Sequence, residues 1–256
     1  MIKIGPASIG GAKEAENNLN FLNKNKINAA EVSFTRNIYL KKPDALRIGK
    51  IAKKLKIDLS VHAPYYINLN SKEKEKITAS KRRIMQSCQM GHHLGAKYIV
   101  FHPGFYGKDS IEDTYEKIKN EMIDLEDTRK EHNLKPKLAP ETTGKVNVFG
   151  DFDQTLQLAK DTKCSFCIDF AHLKARYQGK FSNKDAIKKL KKFKHVHCHY
   201  SGINYGPKGE KNHIPIDKKE TTELLKLLKN LNCTIICEAP DPYGDAIKMN
   251  KILERL

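Results

Sequence analysis

The sequence has no apolar run long enough to span a bilayer and no signal-peptide pattern, so no membrane attachment is expected. Its six cysteines, at 88, 164, 167, 198, 233 and 237, are scattered and lack the paired spacing of a disulfide framework or a Cys₄ metal site. A reduced, cytoplasmic protein is expected. Cys164-Ser-Phe-Cys167 has redox or zinc spacing, but it runs straight into an apolar strand and has no second pair, which favours core cysteines. No Pro/Gly/Ser-rich linker divides the chain, and 256 residues suffice for one large buried core, so a single domain over 1–256 and a monomer are expected. Acidic residues are scarce as well: 30 Asp+Glu stand against 47 Lys+Arg, a formal net charge of +17. That excess favours an acidic partner, nucleic acid first, because each phosphate neutralised by Lys or Arg releases condensed counterions. Runs such as Lys188–Lys194 serve equally well as solvated helix faces.

What is present is alternation. Short β-branched runs (2–5, 30–34, 59–62, 98–102, 137–141, 166–169, 195–199 and 233–238) are interleaved with longer amphipathic segments. Those segments predict helices near 13–24, 43–55, 72–94, 110–131, 151–161 and 183–192, with one more after each of the last two strands. Eight βα units of this size fit an α/β fold of the (β/α)8 or TIM-barrel type, a doubly wound open sheet being the alternative. A barrel opens the C-terminal ends of all its strands onto one face. The segments 102–110, 142–150, 173–182 and 200–216 then become loops on that face.

Metal-type residues recur at those strand ends: His62, His102, Glu141, Asp169 with His172, His197, His213 and Glu238. Any one of them alone has a bland explanation, as a strand-end side chain meeting solvent. Their convergence on one face is the signal, because imidazole nitrogen and carboxylate oxygen both suit Zn²⁺, carboxylates can bridge two ions, and Mn²⁺ fits the same donors. Other candidates read as structural. His92, His93 and His132 fall at helix ends, His195 belongs to the core, and Asp151 and Asp153 suit helix capping. His199 shares the alternation of His197 and reads as an outer contact of the site or a phosphate contact.

At these residues the chain resembles the endonuclease IV family. The matching segments are Ser-Val-His62-Ala-Pro-Tyr65-Tyr-Ile-Asn68, Val-Phe-His102-Pro-Gly, Glu141-Thr-Thr-Gly, Cys-Ile-Asp169-Phe-Ala-His172, His197 with Ser201 and Gly206, His213-Ile-Pro-Ile, and Cys-Glu238-Ala-Pro. Each alone is weak; the set, in the family's order, is specific. The resemblance implies a metal-dependent endonuclease that hydrolyses damaged double-stranded DNA 5′ to an abasic site, leaving a 3′-hydroxyl and a 5′-deoxyribose phosphate in base excision repair. It implies two to three Zn²⁺, with Mn²⁺ as the substitute: His62, His102 and Glu141 for the first, Glu141 as a bridge with Asp169, His197 and Glu238 for the second, His172 and His213 for the third. Glu141, holding the metal pair, would be the catalytic residue. The family's Asp two residues before the last His is replaced here by Lys211, and Glu210, one residue further back, becomes the candidate third ligand. Arg36, Asn37 and Tyr65 match the family's DNA-contacting positions, and Lys108, Lys208, Lys145, Lys174 and Arg176 fall on loops of the same face. Two alternatives remain: a divalent-metal sugar isomerase or epimerase on the same barrel, and a non-catalytic nucleic-acid-binding barrel.

Overall fold

In a computed structural model, which describes residues 1–256, the alternation closes into a barrel. Its strands are β1 (Ile2–Pro6), β2 (Ala29–Ser33), β3 (Asp58–His62), β4 (Tyr98–Phe101), β5 (Lys137–Pro140), β6 (Cys167–Asp169), β7 (Val196–Tyr200) and β10 (Cys233–Cys237). All paired neighbours among them are parallel, in the ladders β2-β3-β4-β5 and β1-β10-β7-β6. Two seams join the ladders. At one, Glu141 bridges Cys167, and the Thr142 N–H donates to Cys167 O at 3.0 Å. At the other, Asn28 Oδ1 accepts from the Ile4 N–H at 3.1 Å, and the Asn28 N–H donates back to Ile4 O at 3.4 Å. An Asn side chain thus stands in for the ladder where β1 and β2 diverge.

The helices form an outer ring: α1 (Ala15–Lys24), α2 (Lys42–Lys54), α3 (Lys74–Leu94), α4 (Ile111–Glu131), α5 (Phe152–Thr162), α7 (Asn183–Leu190), α8 (Lys218–Leu228) and α9 (Pro242–Leu253). Local chemistry sets their ends. Ser110 and Asp151 cap α4 and α5 by accepting from the Asp113 and Gln154 N–H groups, and Gly95, at φ 69°, ends α3 in the left-handed conformation. One continuous cluster of 55 buried apolar residues fills the space between helices and strands. The barrel interior differs: its apolar lining there is small, with Val100, Ala139 and Cys167 packed against Tyr98, which leaves room for buried polar side chains.

Two segments expected as irregular loops carry structure of their own. The 173–182 region begins inside a short helix, α6 (Phe170–Arg176), and the 200–216 loop is a hairpin of β8 (Gly202–Gly206) and β9 (Gly209–Ile214). Both lie on the strand-end face. No helix is long and apolar enough to cross a membrane. All six cysteines are free, and all but Cys164 are buried.

The β1/β2 seam depends on Gly5, because a Cβ there would lie 1.8 Å from Ala29 O on a backbone that cannot yield alone. Gly5→Ala is therefore expected to destabilise the fold by about 2 kcal/mol or more, the scale of an overpacked interior. Chemical denaturation would show a lower midpoint at unchanged slope; a midpoint equal to wild type would mean the seam is not closed as described.

Candidate metal centre

A strand rises about 3.3 Å per residue and turns alternate side chains to the same side, so residues two apart face one way but sit about 6.6 Å apart in height. Register then decides which layer a side chain joins. Asp169, the last residue of β6, pairs with His199 of β7, whereas His197 pairs with Cys167 one layer deeper. His199 is accordingly the β7 imidazole grouped with Glu141, Asp169 and Glu238. His197, expected in that role, lies below it, stacked on Tyr98 with ring centroids 4.9 Å apart and grouped with Cys167 and His199. The structure thus places His199 where His197 was expected: the two share a face, and only the pairing with β6 tells them apart.

The other strand-end residues converge. Glu141, fully buried, sits at the middle with its two oxygens turned to different partners. Oε2 faces His62 Nε2 at 3.3 Å and His102 Nε2 at 3.2 Å. Oε1 faces His199 Nδ1 at 3.2 Å, and that nitrogen is 3.3 Å from Glu238 Oε1. Asp169 closes this second group through its place at the head of α6: Oδ1 accepts from the His172 N–H at 2.6 Å as helix cap, while Oδ2 has no hydrogen-bond partner. The Asp-x-x-His spacing is therefore an N-cap and third helical residue, which aims both side chains at the same space.

The third group is His172, Glu210 and His213. Glu210 reaches it through a bulge. In the hairpin His213 pairs with Ile203 and Asn212 with Asn204, but Tyr205 pairs with Glu210, leaving Lys211 as the extra residue. A bulge resets the alternation, so Glu210 faces the same side as His213 although the two are three apart. Glu210 Oε2 lies 3.5 Å from His172 Nε2, and Oε1 lies 3.8 Å from His213 Nε2. Gly144 makes the space, since a Cβ there would come within 2.7 Å of Glu210 Cβ. The Glu210 N–H donates to Gly144 O at 3.0 Å, which ties the hairpin to the 142–150 loop.

The imidazoles are held by their outer nitrogens. His62 Nδ1 donates to Ala63 O at 2.7 Å and His172 Nδ1 to Thr142 O at 3.0 Å; a carbonyl can only accept, so each Nδ1 carries a proton. Ser201 donates its hydroxyl to Gly202 O at 2.8 Å and therefore accepts from His213 Nδ1, at 2.6 Å. In all three it is Nε2 that is directed at the centre, so loss of any proton there offers its lone pair inward, the arrangement in which histidine binds a metal.

The donor set fits metal ions. Two donors each about 2.0–2.1 Å from one tetrahedral ion stand about 3.3–3.4 Å apart. The inward donor separations around Glu141 and Glu238, 3.2–3.3 Å, match that spacing. Glu141 Oε1, Asp169 Oδ2 and His199 Nδ1 are buried without hydrogen-bond partners, an arrangement costly unless something else satisfies them. Without ions, protons supply the balancing charge. Burial alone would raise the Glu141 pKa, but the charges of His199 and His102 outweigh it and hold the carboxyl well below its ordinary range. Glu238 is held near about 2, burial again being overcome by His199. Burial depresses His62 and His172, yet hydrogen bonds and charge from Glu141, joined at His172 by Asp169, push both above the ordinary histidine value. Burial raises Asp169 instead.

His62, His102, His172, Glu210, His213 and Glu238 line a cavity of about 330 Å³, together with Tyr65, Phe105 and Lys145. Tyr65 is 56% exposed, its ring 5.4 Å from that of His62, and its N–H donates to Thr35 O at 3.1 Å. That bond joins the Tyr65 loop to the loop carrying Arg36 and Asn37, both exposed. Lys108, Lys145 and Lys208 are exposed on neighbouring loops. Lys174 and Arg176 are engaged elsewhere. Lys174 pairs with Glu220 at 2.6 Å, and Arg176 donates to Lys145 O at 2.7 Å and Val148 O at 2.9 Å, bracing the loop. The remaining histidines stay apart from the centre: His195 bonds Tyr98 and Thr234, and His92 accepts from the Lys135 N–H. One buried residue of this region was not singled out in the sequence, Glu31 on β2, whose signal is an acid directly between apolar strand residues, Ala30 and Val32.

Comparison with known proteins agrees with this architecture. The model of the family described as xylose isomerase-like TIM barrel matches residues 19–255. An uncharacterized protein of Methanocaldococcus jannaschii is 35% identical over 271 aligned positions, covering 100% of this chain and 98% of the relative. A probable endonuclease 4 of Metamycoplasma arthritidis is 28% identical over 214 residues, 75% of each chain. Among solved structures, endonuclease IV from Thermus thermophilus superposes with a TM-score of 0.71 at 17% identity, over 100% of this chain and 99% of that one. An L-ribulose 3-epimerase superposes with 0.73 at 15% identity, over 100% and 95%. With the family match spanning nearly the whole sequence, the chain belongs to the xylose isomerase-like TIM barrel family.

Proposed function

We propose that the protein is a metal-dependent endonuclease acting on abasic sites in double-stranded DNA. The observation that carries this reading is the histidine-rich donor set: three adjoining groups of imidazoles and carboxylates meet around Glu141, each contributing to the lining of one cavity on the strand-end face. Its curated relatives include endonuclease 4 proteins, at 28% identity for the one from Metamycoplasma arthritidis. The ions would be two to three Zn²⁺, or Mn²⁺, held by His62, His102 and Glu141; by Glu141, Asp169, His199 and Glu238; and by His172, Glu210 and His213. When bound, such ions make water nucleophilic near neutral pH and stabilise the attacking and leaving oxygens of an in-line phosphoryl displacement.

The chain's own residues do the rest. Glu141 keeps the two adjacent groups in fixed relation. Tyr65 offers an exposed aromatic face at the cavity mouth, and Arg36 and Asn37, on the loop bonded to it, offer a cation and an amide to the gap left by a missing base. An abasic nucleotide has already lost its pairing and most of its stacking, so it is cheap to turn out of the duplex into such a cavity. Lys108, Lys145 and Lys208 suit the flanking phosphates, and the +17 net charge draws the chain to DNA.

Incision of a duplex with one defined abasic site tests this reading. Metal-replete protein is expected to cut 5′ to the lesion and leave a 3′ end that a polymerase extends, and Glu141→Gln is expected to lower the rate at least 100-fold, on the order of one lost charge-stabilising group. Intact DNA together with epimerisation of a ketose would replace the reading with sugar chemistry.

Metal uptake should also depend on pH. Charge from Glu141 and Asp169 holds His62 and His172 above the ordinary histidine value, so a proton competes with an ion for them more strongly than for a free imidazole. Zinc affinity is therefore expected to rise from about pH 6 to about pH 8, with protons released on loading. A flat profile measured by competition with a chelator would contradict the assignment of these imidazoles as ligands.

A further inference from the structure

Glu31 lies in the middle of β2, fully buried, in the barrel interior beneath the strand-end face. A buried carboxylate is costly unless its oxygens are satisfied, so its partners matter. The Ser60 hydroxyl donates to Oε2 at 2.7 Å, and His199 Nε2 lies 3.3 Å from the same oxygen in hydrogen-bonding geometry. His197 Nε2 stands 3.5 Å away without that alignment. An ionised carboxylate only accepts hydrogen bonds, so the proton of a neutral His199 ring has to sit on Nε2. Nδ1 is then left bare. It is buried, has no hydrogen-bond partner, and faces Glu141 and Glu238 at 3.2 and 3.3 Å.

We propose that Glu31 is a positioning residue of the metal centre: by accepting from His199 Nε2 it fixes that ring's tautomer and orientation, and so presents Nδ1 to the ion shared with Glu141, Asp169 and Glu238. The inference rests on the metal-centre reading above. It accounts for two features that packing alone leaves idle. An acid stands between Ala30 and Val32 inside a buried strand, and the hydroxyl of Ser60, directly across the β2–β3 ladder, is taken up in holding that acid in place. Outer carboxylates that orient a ligating histidine contribute about 10–100-fold to metal affinity. Glu31 also acts on one group only, since neither His62 nor His102 nor any residue of the third group is bonded to it.

The test uses Zn²⁺ alone as probe, in titrations of the purified full chain against a chromophoric chelator, together with ¹⁵N spectra of its histidine side chains. In metal-free wild type, at a pH alkaline enough for neutral imidazoles, His199 is expected as the Nε2–H tautomer. In Glu31→Gln the amide can donate as well as accept, so the tautomer is no longer dictated. One zinc should then bind about 10–100-fold more weakly while the others bind as in wild type. Ser60→Ala, which leaves the carboxylate in place, should move the same ion in the same direction by less. Glu31→Gln that binds every zinc like wild type overturns the proposal, and so does uniform weakening of all of them, the mark of a merely structural role. A wild-type His199 protonated on Nδ1 overturns it even if no variant folds. Wild type that takes up no zinc at all removes the metal-centre reading and this proposal together, which separates the two failures.

Discussion

One buried carboxylate organises the strand-end face. Glu141 is fully enclosed, and taking such a charge out of water costs several kcal/mol unless opposite charge and directed donors replace the solvent. The fold supplies them from the ends of three strands and the helix after a fourth: His62 and His102 on one oxygen, His199 on the other, His172 alongside. Four imidazoles of the centre are held by an outer partner that cannot follow them into the cavity: a carbonyl for His62 and His172, Ser201 for His213, Glu31 for His199. The centre is therefore rigid before any ion arrives, which is what a site needs if donor spacing is to select its occupant.

The loops elaborate this frame. Helix α6 makes Asp169 both a cap and an inward-facing donor, and the β8–β9 hairpin carries Glu210 to the third group through a single bulge. Glu210 stands with His172 and His213, although it lies three residues before His213, because the bulge falls at Lys211. An inserted residue changes parity, and the acid one position earlier takes the inward side. Arg176, a phosphate-contact candidate by its loop position, instead ties together the loop that shapes the cavity wall.

The barrel was legible because its signal is local: eight short apolar runs, each followed by an amphipathic segment, with the strand and helix positions close to those expected. The strand-end donors were legible for the same reason. What the sequence could not separate was His197 from His199. Both obey one alternation, and the difference of one layer is set by pairing with β6, a contact about 30 residues away in the chain. Glu31 was missed because an acid in a short strand looks solvent-facing until closure of the barrel buries it. The hairpin escaped notice because Gly206-Pro-Lys-Gly209 reads as loop, and its flanks are too polar to announce strands.

Diffraction data collected on either side of the zinc absorption edge, from crystals of zinc-loaded protein, test the central claim most directly. The account predicts anomalous peaks at the three places where these side chains meet: between His62, His102 and Glu141; between Glu141, Asp169, His199 and Glu238; and between His172, Glu210 and His213. A folded, zinc-exposed protein without a peak beside Glu141, or with its β7 ligand supplied by His197 in place of His199, would contradict it.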